Sequence, residues 1–445
     1  MSKAVSGSLV ALALISAATA RAETAPVDPP VAYMVKPGDT LIALGRAYLN
    51  RPSDYRRVQK ANGVTEPRRL RPGSRLAIDP NLLKSTPIAA TLSALTGPVQ
   101  IETNGQRTPG RVGMPLSEGQ WIITGPGAFA TFELEDASRV TLPSNTRVRI
   151  AKLRQTLLNN APQRVFQLDQ GKGTISVTPT PTPGSRFEVR TPVSVSAVRG
   201  TEFRVAAAAD RAQTEVLKGV VGVGAGETVS DAPPISAGFG VSASANGVTA
   251  PVELLPPPKL SADGQTQHDA LVRFSLEPVK GAASYRLLLA RDAGFIDIFA
   301  EATTQTTTQE KPIADFGQIA NGVYFVRLSA IDPGGLEGLP ADYSFDRDLD
   351  TLDDSPPSDA RQGKQRSFLF RWSSAGDGVR NYRFQMFAEA DPKTPIVDQP
   401  GLTEPRLTLS DLAPGAYSWR VTALRVKDGV MTERQGPPQQ LQIGK

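Results

Sequence analysis

Apolar residues come in pairs two positions apart through the middle of this chain: Phe132 and Leu134, Val140 and Leu142, Val148 and Ile150, Phe187 and Val189, Val193 and Val195, Phe203 and Val205. A spacing of two puts both side chains on one face of an extended backbone and the residue between them on the other. Gly, Pro, Asn, Asp or Ser separates each pair from the next, which closes every run after a few residues. Such a segment has no helical solution. It reads as an all-β domain of many short strands, stacked as a sandwich or a short solenoid-like coil. At 445 residues the chain exceeds one typical core, so this domain has companions.

The first 22 residues read as a secretory signal. Lys3 supplies the positive start, residues 8–18 are a short apolar run, and Ala20-Arg21-Ala22 fits a small-x-small cleavage site. The run is too short to span a bilayer, and no later segment is long enough, so no transmembrane segment is expected after cleavage. The chain has no cysteine, which excludes disulfides, thiolate metal sites, cysteine nucleophiles and a lipid-modified cysteine anchor. Removing the signal leaves 47 basic and 44 acidic residues, a net of +3. Residues 33–78 alone hold ten basic and three acidic residues, a net of +7, so the remainder is about −4. Export makes nucleic acid a poor partner for that basic segment. An acidic cell-wall polymer suits it better.

Within the basic segment, residues 33–35 alternate as a short strand, and Asp39 or Thr40 is placed to cap a helix carrying Leu41, Leu44 and Tyr48 on one face. A second helix from near Ser53 brings Tyr55 and Val58 inward, and Asn62-Gly63 stops it. Leu76 and Ile78 alternate in a closing strand after the Pro72-Gly73 turn. The strings YMVKPGDTLIALGRAYLN, ANGV and LRPGSRLAI resemble the LysM family, a βααβ module that binds N-acetylated glycans, chiefly those of peptidoglycan. The resemblance implies a groove walled by Gly38, Asp39, Thr40 and Leu41 on one side and by Leu70, Arg71 and Pro72 on the other. Exposed loop backbone there would hydrogen-bond acetamido groups, and Leu41 would pack their methyls. One departure is Gly45, where the family usually carries alanine; glycine weakens a helix by up to about 1 kcal/mol.

Four strings in order, at 134–150, 165–177, 186–205 and 216–223, resemble the FecR domain, with RGTEFRV at 199–205 the most specific. In its best-known members this domain is the periplasmic half of a transmembrane regulator that receives a signal from an outer-membrane transporter and controls a sigma factor. A cleavable signal in place of an internal membrane helix departs from that plan, so signal transmission across the inner membrane is not carried over.

The C-terminal half repeats itself. Residues 272–290 parallel 370–388, residues 319–332 parallel 412–425, and Phe274 and Trp372 lie 98 positions apart. That period is one immunoglobulin-like sandwich, and Tyr324 and Tyr417 in G-x-Y-x-x-R stand where such sandwiches place a tyrosine corner. The pair resembles fibronectin type III modules, with Phe274 and Trp372 as core residues.

Catalysis finds little to carry it. A pair of carboxylates could cleave a glycan without histidine, but glycosidases acting on peptidoglycan are typically helical or α/β, and no such segment of adequate length is present. His268 is the one histidine, too few for the zinc peptidases and amidases that act on peptidoglycan, and it falls at the start of a sandwich, where surface is expected. The run of Asp346, Asp348, Asp350, Asp353 and Asp354 has threonine and proline where a calcium loop needs glycine and glutamate, and reads as a solvated hinge. GVGAG at 222–226 reads as a β-turn, because no helix pattern follows it, and TPTPTPG at 178–184 as an exposed loop.

The expected organisation is therefore multi-domain and mainly β. It comprises a signal (1–22), a linker (23–32), a LysM glycan-binding module (33–79), a linker (80–90), a FecR-like β domain (91–226), a linker (227–256), a fibronectin-like sandwich (257–347), a linker (348–357) and a second sandwich (358–445). The expected role is a non-catalytic, periplasmic, peptidoglycan-associated protein that needs no cofactor or metal and presents its β domains to an unidentified envelope protein. The alternatives are a component of a FecR-type signalling system or an adaptor for surface polysaccharide or appendage assembly.

Overall fold

A computed structural model describes residues 30–226, 234–306, 311–362 and 365–444. The expected signal and residues 23–29 lie outside them, while Val31 and Ala32, expected in a linker, already belong to the first strand, with Val31 buried in the core of the first module.

The first module folds as β1 (Val31–Met34), α1 (Leu41–Tyr48), α2 (Tyr55–Ala61) and β2 (Arg75–Ile78). The two strands pair antiparallel with Tyr33 opposite Leu76. Thr40 supplies the helix cap, its Oγ1 accepting from the Ala43 amide at 3.0 Å. Leu41, Leu44, Val58, Leu76 and Ile78 form the buried centre. Asn62 ends α2 and staples it to β2: its side chain donates to the carbonyls of Val58 and Ala77 and accepts from the Ala77 amide. Gly45 is required rather than tolerated. A Cβ there would stand 2.8 Å from the Pro52 carbonyl and 3.0 Å from the Tyr55 Cβ, so the two helices meet only because position 45 has no side chain.

The segment 80–90 corrects an expectation. Instead of a linker it holds a 3-10 turn, Pro80–Leu82, and two strands, Ser85–Pro87 and the start of Ala90–Thr96. Leu82 and Leu83 are buried in the first module's core, and Leu158 of the middle domain packs against the same cluster. The apolar surface of so small a module is finished by its neighbour, which fixes the module on the middle domain.

The middle domain is two facing sheets around one core that includes Leu92, Ile101, Phe132, Phe166, Phe203 and Val216. The apolar pairs read from the sequence are its inward residues, except Val193, which precedes its strand. The long strand Pro162–Ser176 belongs to both sheets. Its first half pairs with Arg147–Thr156 and Arg186–Arg190, its second with Arg139–Leu142 and Glu202–Ala207. The hand-over falls at Gly171 (φ +92), where a Cβ would meet Thr146 at 2.4 Å. GVGAG is not a turn: Gly222 to Ala225 lie in the strand Val220–Ala225, paired with Ser194–Ala197, and only Gly226 leaves it. Residues 178–183 form no strand and are mostly exposed. The expected linker 227–256 also needs correction. Its strand Phe239–Ser244 pairs with Arg211–Glu215 and extends the second sheet.

Each C-terminal unit is a sandwich of a three-stranded and a larger sheet. Phe274 and Trp372 are buried in the two cores. Both tyrosine corners are present, with Tyr324 Oη donating to the Ala320 carbonyl at 3.2 Å and Tyr417 Oη to Ala413 at 2.8 Å. The aspartate run is not a solvated hinge. Asp348 pairs with Arg425 and, at 2.7 Å, Lys427; Asp350 pairs with Arg380 at 2.9 Å. Burial pushes Asp348 up, but its bonds to Arg425 and Lys427 outweigh that and hold it down to about 2. The expected linker 348–357 largely belongs to the strand Thr351–Gln362, so the two sandwiches are clasped rather than tethered. His268 is exposed, its Nδ1 2.8 Å from the Asp348 carbonyl. No helix among the described residues is long and apolar enough to cross a membrane.

Candidate glycan-binding site

The two expected walls are the loop from Lys36 to Thr40 and the loop from Thr65 to Ser74, and backbone bonds lock them together. The Val35 amide donates to the Ser74 carbonyl, the Gly73 amide to Val35, and the Leu41 amide to Pro67, all at 2.8–2.9 Å. Their positions are fixed before any ligand arrives, which lowers the ordering cost of binding.

The seven residues divide into four groups. Gly38, Arg71 and Pro72 are exposed on the rims, and Leu70 and Thr40 are half-buried between them. Asp39 is spent inside the turn, its Oδ2 accepting from Tyr33 Oη and from the Lys36 amide, both at 2.7 Å. Burial and this carboxylate push the Tyr33 phenol up to about 12. Leu41 corrects an expectation: at 2 % exposure it belongs to the core, and its position as the first residue of α1 turns it away from solvent. It cannot pack a ligand methyl, whereas Leu70 and Pro67 are half-buried apolar side chains of the second wall.

Electrostatics adds residues that the site reading missed. All ten basic side chains of residues 33–78 are exposed, and none forms an ion pair with a carboxylate among the described residues. Lys36 stands on the first wall, and Arg68, Arg69, Arg71 and Arg75 on or beside the second. The charge count made this basic character visible; it did not show that the charge is left unneutralised around the groove. Surface charge of one sign with no internal partner raises the local concentration of anionic polymers.

Residues 33–79 match the family model for the LysM domain, and residues 120–222 match that for FecR protein. No curated protein matches the sequence. Among solved structures, the chain is similar to a protein from Parabacteroides distasonis assigned as an anti-sigma factor, at 20 % identity over 30 % of this chain, with a TM-score of 0.25. The chain covers 59 % of that protein's length. It is also similar to fibronectin(III)-like modules of Clostridium thermocellum CbhA, at 11 % identity over 41 % of this chain and 90 % of that one, TM-score 0.19. A two-domain fibronectin type III segment of chicken tenascin gives 16 % identity over 43 % and 99 %, TM-score 0.20. The chain thus carries a LysM domain and a FecR domain, followed by the two β-sandwich units.

Proposed function

We propose that this is a non-catalytic protein of the periplasm that holds peptidoglycan through residues 33–79 and presents its β domains to another envelope protein. The observation that carries the reading is the match of 33–79 to the LysM domain, together with two pre-fixed loop walls ringed by unpaired cations. Glycan chains would lie between Gly38–Thr40 and Leu70–Pro72, while carboxylates of the stem peptides would meet Lys36, Arg68, Arg69 and Arg71. Asp39 and Leu41 act behind the surface, as turn lock and core residue.

Binding to purified sacculi tests this. The full chain should sediment with them, and a Gly38→Trp, Arg71→Glu chain should stay in the supernatant. Gly38 has open space beside it at φ +86, so a bulky side chain there costs about 1–2 kcal/mol and blocks the groove without entering the core. Equal sedimentation of the two folded proteins would refute the assignment.

The FecR match favours a second reading, in which the middle domain serves a signalling system rather than assembly. Crosslinking from intact envelopes separates them: recovery of a transporter or sigma-factor regulator supports signalling, and recovery of polysaccharide- or appendage-assembly proteins supports an adaptor.

A further inference from the structure

A cleft of about 380 Å³ opens between the middle domain and the first sandwich, away from the glycan loops. On its middle-domain wall, Arg139, Ser176, Glu202 and Lys218 are cross-strand partners on four successive strands, so their side chains share one face. Thr141, Thr174 and Arg204 form the next row. The wall opposite brings Arg286, Phe295 and Arg327 from the sandwich.

Most of these charges are already answered. Glu337 takes Arg204 at 2.6 Å and Arg286 at 3.1 Å, and Glu301 takes Arg286 at 2.6 Å. Glu202 holds Lys218 at 2.9 Å. Asp342 holds Arg327 at 2.8 Å, with that guanidinium over the Phe295 ring at 4.1 Å. Arg139 is left over: among the described residues no carboxylate lies within ion-pair distance of it. Asp292, on the facing hairpin, spends its carboxylate on the backbone amides of Gly294, Ile296 and Asp297. The half-buried hydroxyls of Thr174 and Ser176 stand in the same two rows.

We infer that this cleft binds a carboxylate-bearing ligand, with the Arg139 guanidinium taking the carboxylate and the Ser176 and Thr174 hydroxyls beside it donating further bonds. A guanidinium pairs with a carboxylate through two parallel N–H bonds, which a neutral isostere cannot match. The volume lies at the small end of ligand pockets, which fits one acidic amino-acid residue or one uronic sugar. The inference is independent of the glycan groove.

Calorimetric titration of the full chain with N-acetylglutamate α-amide, which carries one side-chain carboxylate, and with glucuronate, each against its neutral counterpart N-acetylglutaminamide or glucose, tests it. At least one acid should bind at least tenfold more tightly than its neutral counterpart, and which acid does so tells a peptide source from a sugar source. Arg139→Ala should weaken that binding at least tenfold. Gly294→Glu should abolish it from the other wall, because a Cβ at 294 stands 3.6 Å from Arg139 Nη1 and places an internal carboxylate on the guanidinium. The Gly38→Trp, Arg71→Glu chain should bind the acid as the unaltered protein does. Acids bound no better than their neutral counterparts, or unchanged binding in a folded Arg139→Ala chain, would overturn the assignment.

Discussion

Gly45 shows how one position can contradict its own propensity. Alanine gains up to about 1 kcal/mol over glycine in a helix interior, yet here its methyl would press on a backbone carbonyl that cannot move alone. Overpacking costs about 1–3 kcal/mol, so Gly45→Ala should destabilise the first module. Amide hydrogen exchange across α1 and α2 should then run about fivefold faster, the factor for roughly 1 kcal/mol; slower exchange would show that the helices can part. Tyr33 carries a pH signature. Its phenol is raised from 10 to about 12 in the folded chain, so the stability it contributes is complete below pH 10 and is lost as pH rises through 12. The unaltered protein should therefore lose stability in that window faster than Tyr33→Phe, as judged by the first module's melting temperature; parallel curves would mean the Tyr33–Asp39 bond is not formed.

The element scale is where sequence reading succeeded and where it stopped. Alternation located the strands because the apolar pairs, such as Phe203 and Val205, are buried on one face, Val193 alone among the paired residues lying outside its strand. The cap at Thr40, the stop at Asn62 and both tyrosine corners were legible because each is a local contact, four residues or fewer apart in the chain. What joins the domains was not legible. Arg204, inside the most recognisable FecR string, bonds Glu337 across 133 residues, and Asp348 finds its partners 77 and 79 residues away. Nothing in either neighbourhood marks such pairs, so charged runs read as solvated and strands read as linkers. The Arg204 contact also sets a pH response. Burial, opposed by Arg204 and reinforced by the Glu337 charge, pushes Glu215 up to about 7, with Lys172 the other nearby cation. Burial also pushes Glu337 up, but Arg204 and Arg286 overcome it and hold Glu337 as the anion, well below the usual carboxylate range. The stability that Glu215 contributes is present below pH 4.5 and lost as pH rises through 7. Glu215→Gln should flatten that decline, read as hydrogen exchange at residues 334–338 between pH 4.5 and 7.5. An unchanged slope would remove Glu215 as its source.

At the scale of the whole molecule, the described contacts join each unit to the next. Leu82, Leu83 and Leu158 seat the first module on the middle domain, Arg204 and Glu337 join the middle domain to the first sandwich, and Asp348 and Arg425 clasp the two sandwiches. If the LysM domain takes glycan as proposed, the joined sandwich units would hold a partner at a set distance from the wall. That architecture has meaning only if the first module takes glycan. The most direct test is titration of the full chain with an uncharged N-acetylglucosamine tetrasaccharide, which removes the charge attraction and leaves the groove alone. The account predicts saturable binding that Gly38→Trp, Arg71→Glu abolishes and that changes little between low and high salt. Absence of binding, or identical binding by the folded variant, would contradict it.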